Sequence, residues 1–199
     1  PHQTRTVFKQ TLQDVIGFAP DRISLFSYAH LPQRFSSQRK IKDQWLPSPQ
    51  EKLQLMLDAN AILCSDADYV AIGFDHFAKA SDSLVVAQQN GNLHRNFQGY
   101  TVLEDTDLLA VGVSSISQIG EVYFQNPKSL KEYYAKTECL GRKLSRDDAI
   151  RAHVIKDLMC NFQLDLTAIS ERWNIDALAY FEQEIASLAM FESDGLLTI

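Results

Sequence analysis

The sequence predicts an α/β protein in two parts, an α/β layer or barrel followed by a helical module. Three observations carry this expectation. Phe8, Leu12, Val15 and Ile16 recur at helical spacing, a strand-like run follows at 23–28, and the helix-then-strand order repeats over 49–74. Ser48-Pro49-Gln50-Glu51 joins a capping box to a proline at the first helical position, a strong local start signal. Beyond Asn126-Pro127 the strand-like runs give way to two helical stripes, Ile150, Val154, Ile155, Leu158, Met159 and Phe162, then Leu178, Phe181, Ile185 and Leu188.

Taken in order, the first helix covers 4–17 and is broken by Ala19-Pro20-Asp21. The run ISLFSY then turns Ile23 and Leu25 one way and Phe26 and Tyr28 the other. The capped helix sets Leu53, Met56, Leu57 and Leu63 on one stripe, interrupted by Asn60, and ends near Asp66. YVAIGF at 69–74 is a near-continuous apolar run, expected of a strand covered on both faces. The pattern changes at 94–100, HRNFQGY. Asn96 and Gln98 flank Phe97, and their amides need partners, which the protein or a ligand must provide. Around the apolar stretch 108–113, Gly112, Ser114, Ser115, Ser117 and Gly120 keep the backbone bare enough for a ligand or a second backbone segment to approach. A linker-like stretch then leads to Ser145, an N-cap. Asp194-Gly195 closes the last helix and Leu196 to Ile199 should open a strand, so the module reads as winged-helix-like and cut off at its wing. The start at Pro1 and the stop within an apolar run are expected of a piece of something longer.

Composition bounds the function. The 199 residues are 45% hydrophobic and 22% charged, ordinary for a globular protein, and a net charge of −6 argues against nucleic acid as the main partner. No long apolar span or leader is present, so the cytoplasm is expected and a membrane is not. Cys64, Cys139 and Cys160 form no CxxC pair and predict free thiols, with no metal site. His76 in FDHF stands beside Asp75 at a strand end, as a general base or as an imidazole held for structure. Glu104, Asp105 and Asp107 could meet a hard cation or form a solvated loop. Arg34, Arg39, Lys40 and Lys42 cluster after the first strand, where they would suit a ligand with several carboxylates or make a solvated face.

The blocks YAHLP, QRKIKD, LPSPQ, DHFA, LHRNFQGYT, DTDLLAVGVSSIS and CNFQLD, spread over essentially the whole chain, resemble bacterial oxygen-independent coproporphyrinogen III oxidase. That is a radical S-adenosylmethionine family of haem synthesis. The resemblance implies the C-terminal part of a partial (β/α) barrel over residues 1–126, then a truncated, winged-helix-like helical domain over 127–199. It implies oxidative decarboxylation of two propionates of coproporphyrinogen III, giving protoporphyrinogen IX. S-adenosylmethionine bound to a [4Fe-4S] cluster supplies the 5′-deoxyadenosyl radical that takes a propionate β-hydrogen. By motif, Ala29 matches a position beside the cluster-bound S-adenosylmethionine. Phe97, Gln98 and Ile116 match positions around a second one. Arg34, Arg39 and Lys40 are the residues expected to meet substrate carboxylates.

The sequence departs from the family in lacking the CxxxCxxC cluster ligands and the glycine-rich cofactor motif, and 136–145 looks shorter than the family pattern. The chain alone is therefore expected to hold no catalytic residue and to be inactive. Uncovered barrel edges are expected to drive self-association. A second reading is a tetrapyrrole or haem binder without radical chemistry, for which His30, His76 or His94 would have to supply the axial ligand.

Overall fold

A computed structural model of the chain describes residues 2–104, 106–135 and 139–199. It is a mixture of helix and sheet divided into two compact units, residues 1–94 with 100–104, and residues 95–99 with 105–199.

In the first unit, α1 (Arg5–Gly17) is capped by Thr4, whose hydroxyl accepts the Val7 N–H, and it buries Phe8 and Leu12. After β1 (Arg22–Ser24), α2 (Pro49–Ala61) starts at the expected capping box: Ser48 Oγ accepts from Glu51 N while Glu51 Oε2 accepts from Ser48 N at 2.7 Å. A π turn over Ile62–Asp66 extends it. β2 (Tyr69–Ala71) and β3 (His76–Lys79) are joined by four residues, so they pair antiparallel, and β1 pairs with the other edge of β3 through Arg22 and Ala78. Phe8, Leu12, Ala59, Leu63, Tyr69 and Phe77 form the core between this sheet and the two helices. α3 (Ser83–Gln89) follows, capped by Asp82, which also takes Arg22 Nε at 2.9 Å.

Two expectations change here. The apolar run 69–74 is a strand only over Tyr69–Ala71; it bends through Gly73, and Phe74 is exposed. α2 also sits rotated from its predicted stripe: Leu53 and Leu57 face solvent, while Asp58 and Ala59 are buried. The reason is electrostatic. Asp58 accepts from Arg5 Nε and, at 2.6 Å, from Arg5 Nη2, with Gln54 Nε2 at 3.2 Å and Lys9 Nζ at 3.7 Å. A buried carboxylate is tolerated only when so matched, and once matched it fixes which way the helix faces.

Two short strands, β4 (His94–Asn96) and β5 (Gly99–Thr101), flank the turn of HRNFQGY. In the second unit, β6 (Ile116–Ile119), β7 (Val122–Gln125) and β8 (Leu140–Lys143) make an antiparallel sheet in that order, with α4 (Leu130–Tyr134) between the last two. The predicted linker thus contains a helix and a strand. All four β8 residues are exposed, so no alternation of apolar and polar residues marks it in the sequence. α5 (Arg146–Asn161) starts at a Ser145–Asp148 capping box, followed by α6 (Leu166–Trp173), α7 (Ala177–Tyr180) and α8 (Glu182–Ser193). Their core is Ile150, Ile169, Ala177 and Phe181, while Ile155, Leu158, Phe162 and Leu178 of the predicted stripes are exposed. Arg151 ties α5 to α8 by bonding Asp147 at 3.1 Å and Glu184 at 2.6 Å. Residues 196–199 form no strand, because nothing among the described residues pairs with them. The segment 136–138 and Asp105 lie outside the described residues, and with them part of the 136–145 stretch expected to be short.

The Arg5 guanidinium holds Asp58 well below the ordinary 3.8, at about 2. Its contribution to stability is complete above the ordinary value and is lost as pH falls through about 2. Acid melts of wild type and Asp58→Asn should therefore converge between pH 4 and 2, with the variant less stable at pH 7. Parallel curves across that window would refute the role of the pair.

Candidate functional site

The loop that leaves β1 carries Tyr28, Ala29 and His30, and Gln38 holds it in shape. Gln38 Nε2 donates to Ala29 O at 3.2 Å, while its Oε1 accepts from Leu31 N at 2.5 Å, so one amide brackets the two peptides around His30. Arg39 Nε adds a bond to Pro32 O at 3.1 Å. His30 Nε2 stands 3.5 Å from Asp43 Oδ1, and its buried Nδ1 has no hydrogen-bond partner among the described residues. Arg34, Arg39 and Lys40 are exposed and make no ion pair with the described residues, so their charge is available to an anion.

On the sheet of the same unit, His76 Nδ1 lies 2.6 Å from Asp75 Oδ1. The imidazole is met edge-on by Phe26, at 5.7 Å between centroids, and by Tyr100, at 5.1 Å. Tyr100 reaches this position because residue 73 is glycine: a Cβ there would stand 2.0 Å from the Tyr100 hydroxyl.

The second unit holds an open groove of about 270 Å³ lined by Phe97, Ile116, Tyr123, Phe124, Gln125, Leu140, Gly141 and Arg142. Sheet register explains most of its composition. Ile116 is opposite Gln125, Gln125 opposite Leu140, and Tyr123 opposite Arg142, so these side chains share one face, while Ser117 and Phe124 belong to the other. Phe97 closes over this face with its ring edge-to-face on Tyr123 at 5.4 Å. Burial pushes the Tyr123 phenol up, and Gln118, opposite it on the same face, partly offsets this. Arg142 Nη2 donates to Asp148 Oδ1 at 3.0 Å, leaving its other N–H groups for a ligand.

Phe97 and Ile116 share the groove, Gln98 is exposed and outside its lining, and Ala29 belongs to the loop of the first unit. The amide of Asn96 has a local use: its Oδ1 accepts the Gln98 N–H at 2.8 Å, an Asx turn. The bare stretch 112–120 admits backbone. Ala110 N donates to Ser117 Oγ at 2.9 Å, and Asn126 Nδ2 donates to Gly112 O at 3.1 Å. Tyr123, Leu140 and Arg142 escaped the sequence reading, as did Gln38; for the first three, the signal is the pairing register, which no local pattern encodes.

The acidic residues do not gather. Glu104 lies 3.8 Å from His94 Nε2, Asp107 Oδ1 accepts from Gly120 N at 2.7 Å, and Asp105 lies outside the described residues. Cys64 is half-buried in the first unit; in the second, Cys139 is exposed and Cys160 is buried, with burial pushing the Cys160 thiol up and away from a metal-ligating thiolate. No group of three metal-ligating side chains exists among the described residues, which do not fit an iron-sulfur cluster. No helix among them is long and apolar enough to cross a membrane.

A family model described as the HemN C-terminal domain matches residues 144–199. Oxygen-independent coproporphyrinogen III oxidase of Escherichia coli (strain K12) is 49% identical over 205 residues, covering 100% of this chain and 45% of that protein. The protein of the same name from Synechocystis is 42% identical over 207 residues, covering 99% of this chain and 44% of its own length. A solved structure, coproporphyrinogen III oxidase (HemN) from Escherichia coli, described as a radical SAM enzyme, superposes with a TM-score of 0.95 at 49% identity. It covers 100% of this chain and 47% of its own. The chain thus spans about half the length of the relatives it matches.

If Gln38 holds the Ala29–Leu31 loop, Gln38→Ala should speed hydrogen exchange of the Leu31 amide roughly fivefold, the equivalent of a bond worth about 1 kcal/mol. An unchanged Leu31 rate would show that the loop keeps its shape without the amide bracket.

Proposed function

We propose that this chain, which belongs to the oxygen-independent coproporphyrinogen III oxidase family and corresponds to its C-terminal portion, provides part of the cofactor and substrate wall for a haem-synthesis reaction, the oxidative decarboxylation of coproporphyrinogen III to protoporphyrinogen IX. The observation that carries the reading is the groove in which Phe97 and Ile116, matched by motif to a second S-adenosylmethionine, stand together with Tyr123 and Arg142.

S-adenosylmethionine, when bound and reductively cleaved, supplies the radical that removes a propionate hydrogen. The residues of this chain bind, orient and exclude water. Phe97, Tyr123 and Ile116 offer aromatic and apolar surface to a nucleoside, and Arg142 offers N–H donors to a carboxylate. Gln98, beside Phe97, is placed in this reading as a polar contact at the rim. Ala29, backed by Gln38, gives a small side chain and a fixed backbone to the cofactor at the cluster. Arg34, Arg39 and Lys40 suit the propionate carboxylates of the substrate.

In the same reading residues 1–126 belong to the partial barrel and 127–199 to a winged-helix-like domain, and the protein works in the cytoplasm. Sheet edges and exposed apolar side chains such as Leu109 and Val111 favour self-association. The cluster ligands lie outside this chain, which is inactive by itself.

Equilibrium dialysis with labelled S-adenosylmethionine tests the groove. Gln98→Ala should weaken binding by about 0.5–1.5 kcal/mol, roughly two- to tenfold in Kd, with the melting temperature of the unliganded chain nearly unchanged. Phe97→Ala should weaken it further. If both variants bind as wild type does, or if Gln98→Ala chiefly lowers the melting temperature, the segment is architecture and the assignment fails.

A further inference from the structure

The sheet of the first unit has two faces. One, through Ile23, Leu25, Ala71 and Phe77, packs on α1 and α2. The other carries Ser24 and His76, which pair across β1 and β3, with Phe26 two residues beyond Ser24. His76 is held there from several sides. Leu25 N donates to Asp75 O at 2.7 Å, Ile72 N donates to His76 O at 2.8 Å, and Phe26 and Tyr100 fix the ring plane, each at 80° to it.

Asp75 then decides what the free edge of the ring can do. A carboxylate only accepts, so the proton of a neutral imidazole sits on Nδ1, facing Asp75, and Nε2 becomes the acceptor. The side chains of His76 and Asp75 keep 19% and 22% of their surface. The ring is locked yet not fully covered. Beside it, Phe26 is 67% exposed. A fixed acceptor next to exposed aromatic surface matches a ligand that joins apolar aromatic rings to N–H donors.

We propose that His76, oriented by Asp75, contacts the substrate, with Nε2 accepting a hydrogen bond from the pyrrole N–H groups of a porphyrinogen that lies against Phe26. This rests on the substrate reading given above. A porphyrinogen has four pyrrole N–H donors and no ring acceptor, so a hydrogen-bond acceptor is the polar group its centre requires. Its carboxylates lie at the periphery, where cations rather than imidazole nitrogens suit them.

The test uses this chain with its histidines labelled with nitrogen-15, titrated anaerobically with coproporphyrinogen III. The proposal expects the His76 Nε2 resonance to move on binding while those of His2 and His153 stay. It also expects His76→Ala to weaken binding about tenfold and His76→Gln, which restores an acceptor, to recover part of the loss. Binding with an unmoved His76 signal overturns the inference and leaves the substrate reading intact. If the wild-type chain binds no porphyrinogen, the substrate reading falls and the inference with it. The wild-type spectrum decides the matter even if His76→Ala does not fold.

Discussion

A carboxylate placed against an apolar core must be met by positive charge, and in the first unit that requirement fixes nearly everything else. Asp58 is buried on the inner face of α2 and is matched by Arg5 from the first turn of α1. Because the guanidinium bonds both carboxylate oxygens, the pair sets the rotation of α2 as well as its distance from α1. Once α2 is turned this way, Ala59 and Leu63 can pack with Phe8, Leu12, Tyr69 and Phe77, and the two helices cover one face of the sheet. The opposite face is where Ser24 and His76 emerge. One ion pair therefore separates a structural face from a face open to chemistry.

The second unit has its own buried polar group, Ser117, with a corresponding role. Its hydroxyl accepts the Ala110 N–H, and the neighbouring bridge between Leu108 and Gln118 draws the 108–110 segment alongside β6. Since Ser117 must point toward that segment, Ile116 and Gln118 point to the other face, where the groove lies. A slip of one residue in the β6–β7 register would set Ser117 opposite Tyr123 or Gln125, turning the hydroxyl into the groove and Ile116 away from it. The hydroxyl thus protects the composition of a site it does not touch.

These two residues also explain what the sequence disclosed and what it withheld. Helix starts were legible, because Ser48-Pro49-Gln50-Glu51 and Ser145 carry their capping chemistry within four residues. The opposed faces of Ile23 and Leu25 against Phe26 were legible for the same local reason. The inward face of α2 was not, because the apolar pattern scores Asp58 as outward and Leu57 as inward, and only Arg5, 53 positions away, reverses that. β8 was hidden because it has no buried side to alternate with an exposed one. In the candidate site, Phe97 and Ile116 could be named by motif, yet Tyr123 and Arg142 join them only through strand register. Local chemistry is written in short stretches, whereas partnership across the chain is written in pairs that no single stretch reveals.

The distribution of exposed aromatic surface follows from this division. Phe26 and Phe97 are as uncovered as Phe18 and Phe74, but each stands beside a polar ring group. Each ring lies next to a polar ring group set by the sheet: His76, bonded to Asp75, beside Phe26, and Tyr123, opposite Gln118, beside Phe97. The polar partner is oriented before any ligand arrives, so little entropy remains to be lost at that position on binding. The core side chains, Leu63 and Phe77 in one unit and Ile150 and Ile169 in the other, show no such pairing, because burial alone determines where they go. An exposed ring beside a pre-set polar group is thus what the proposed ligand wall has in both units and the core lacks.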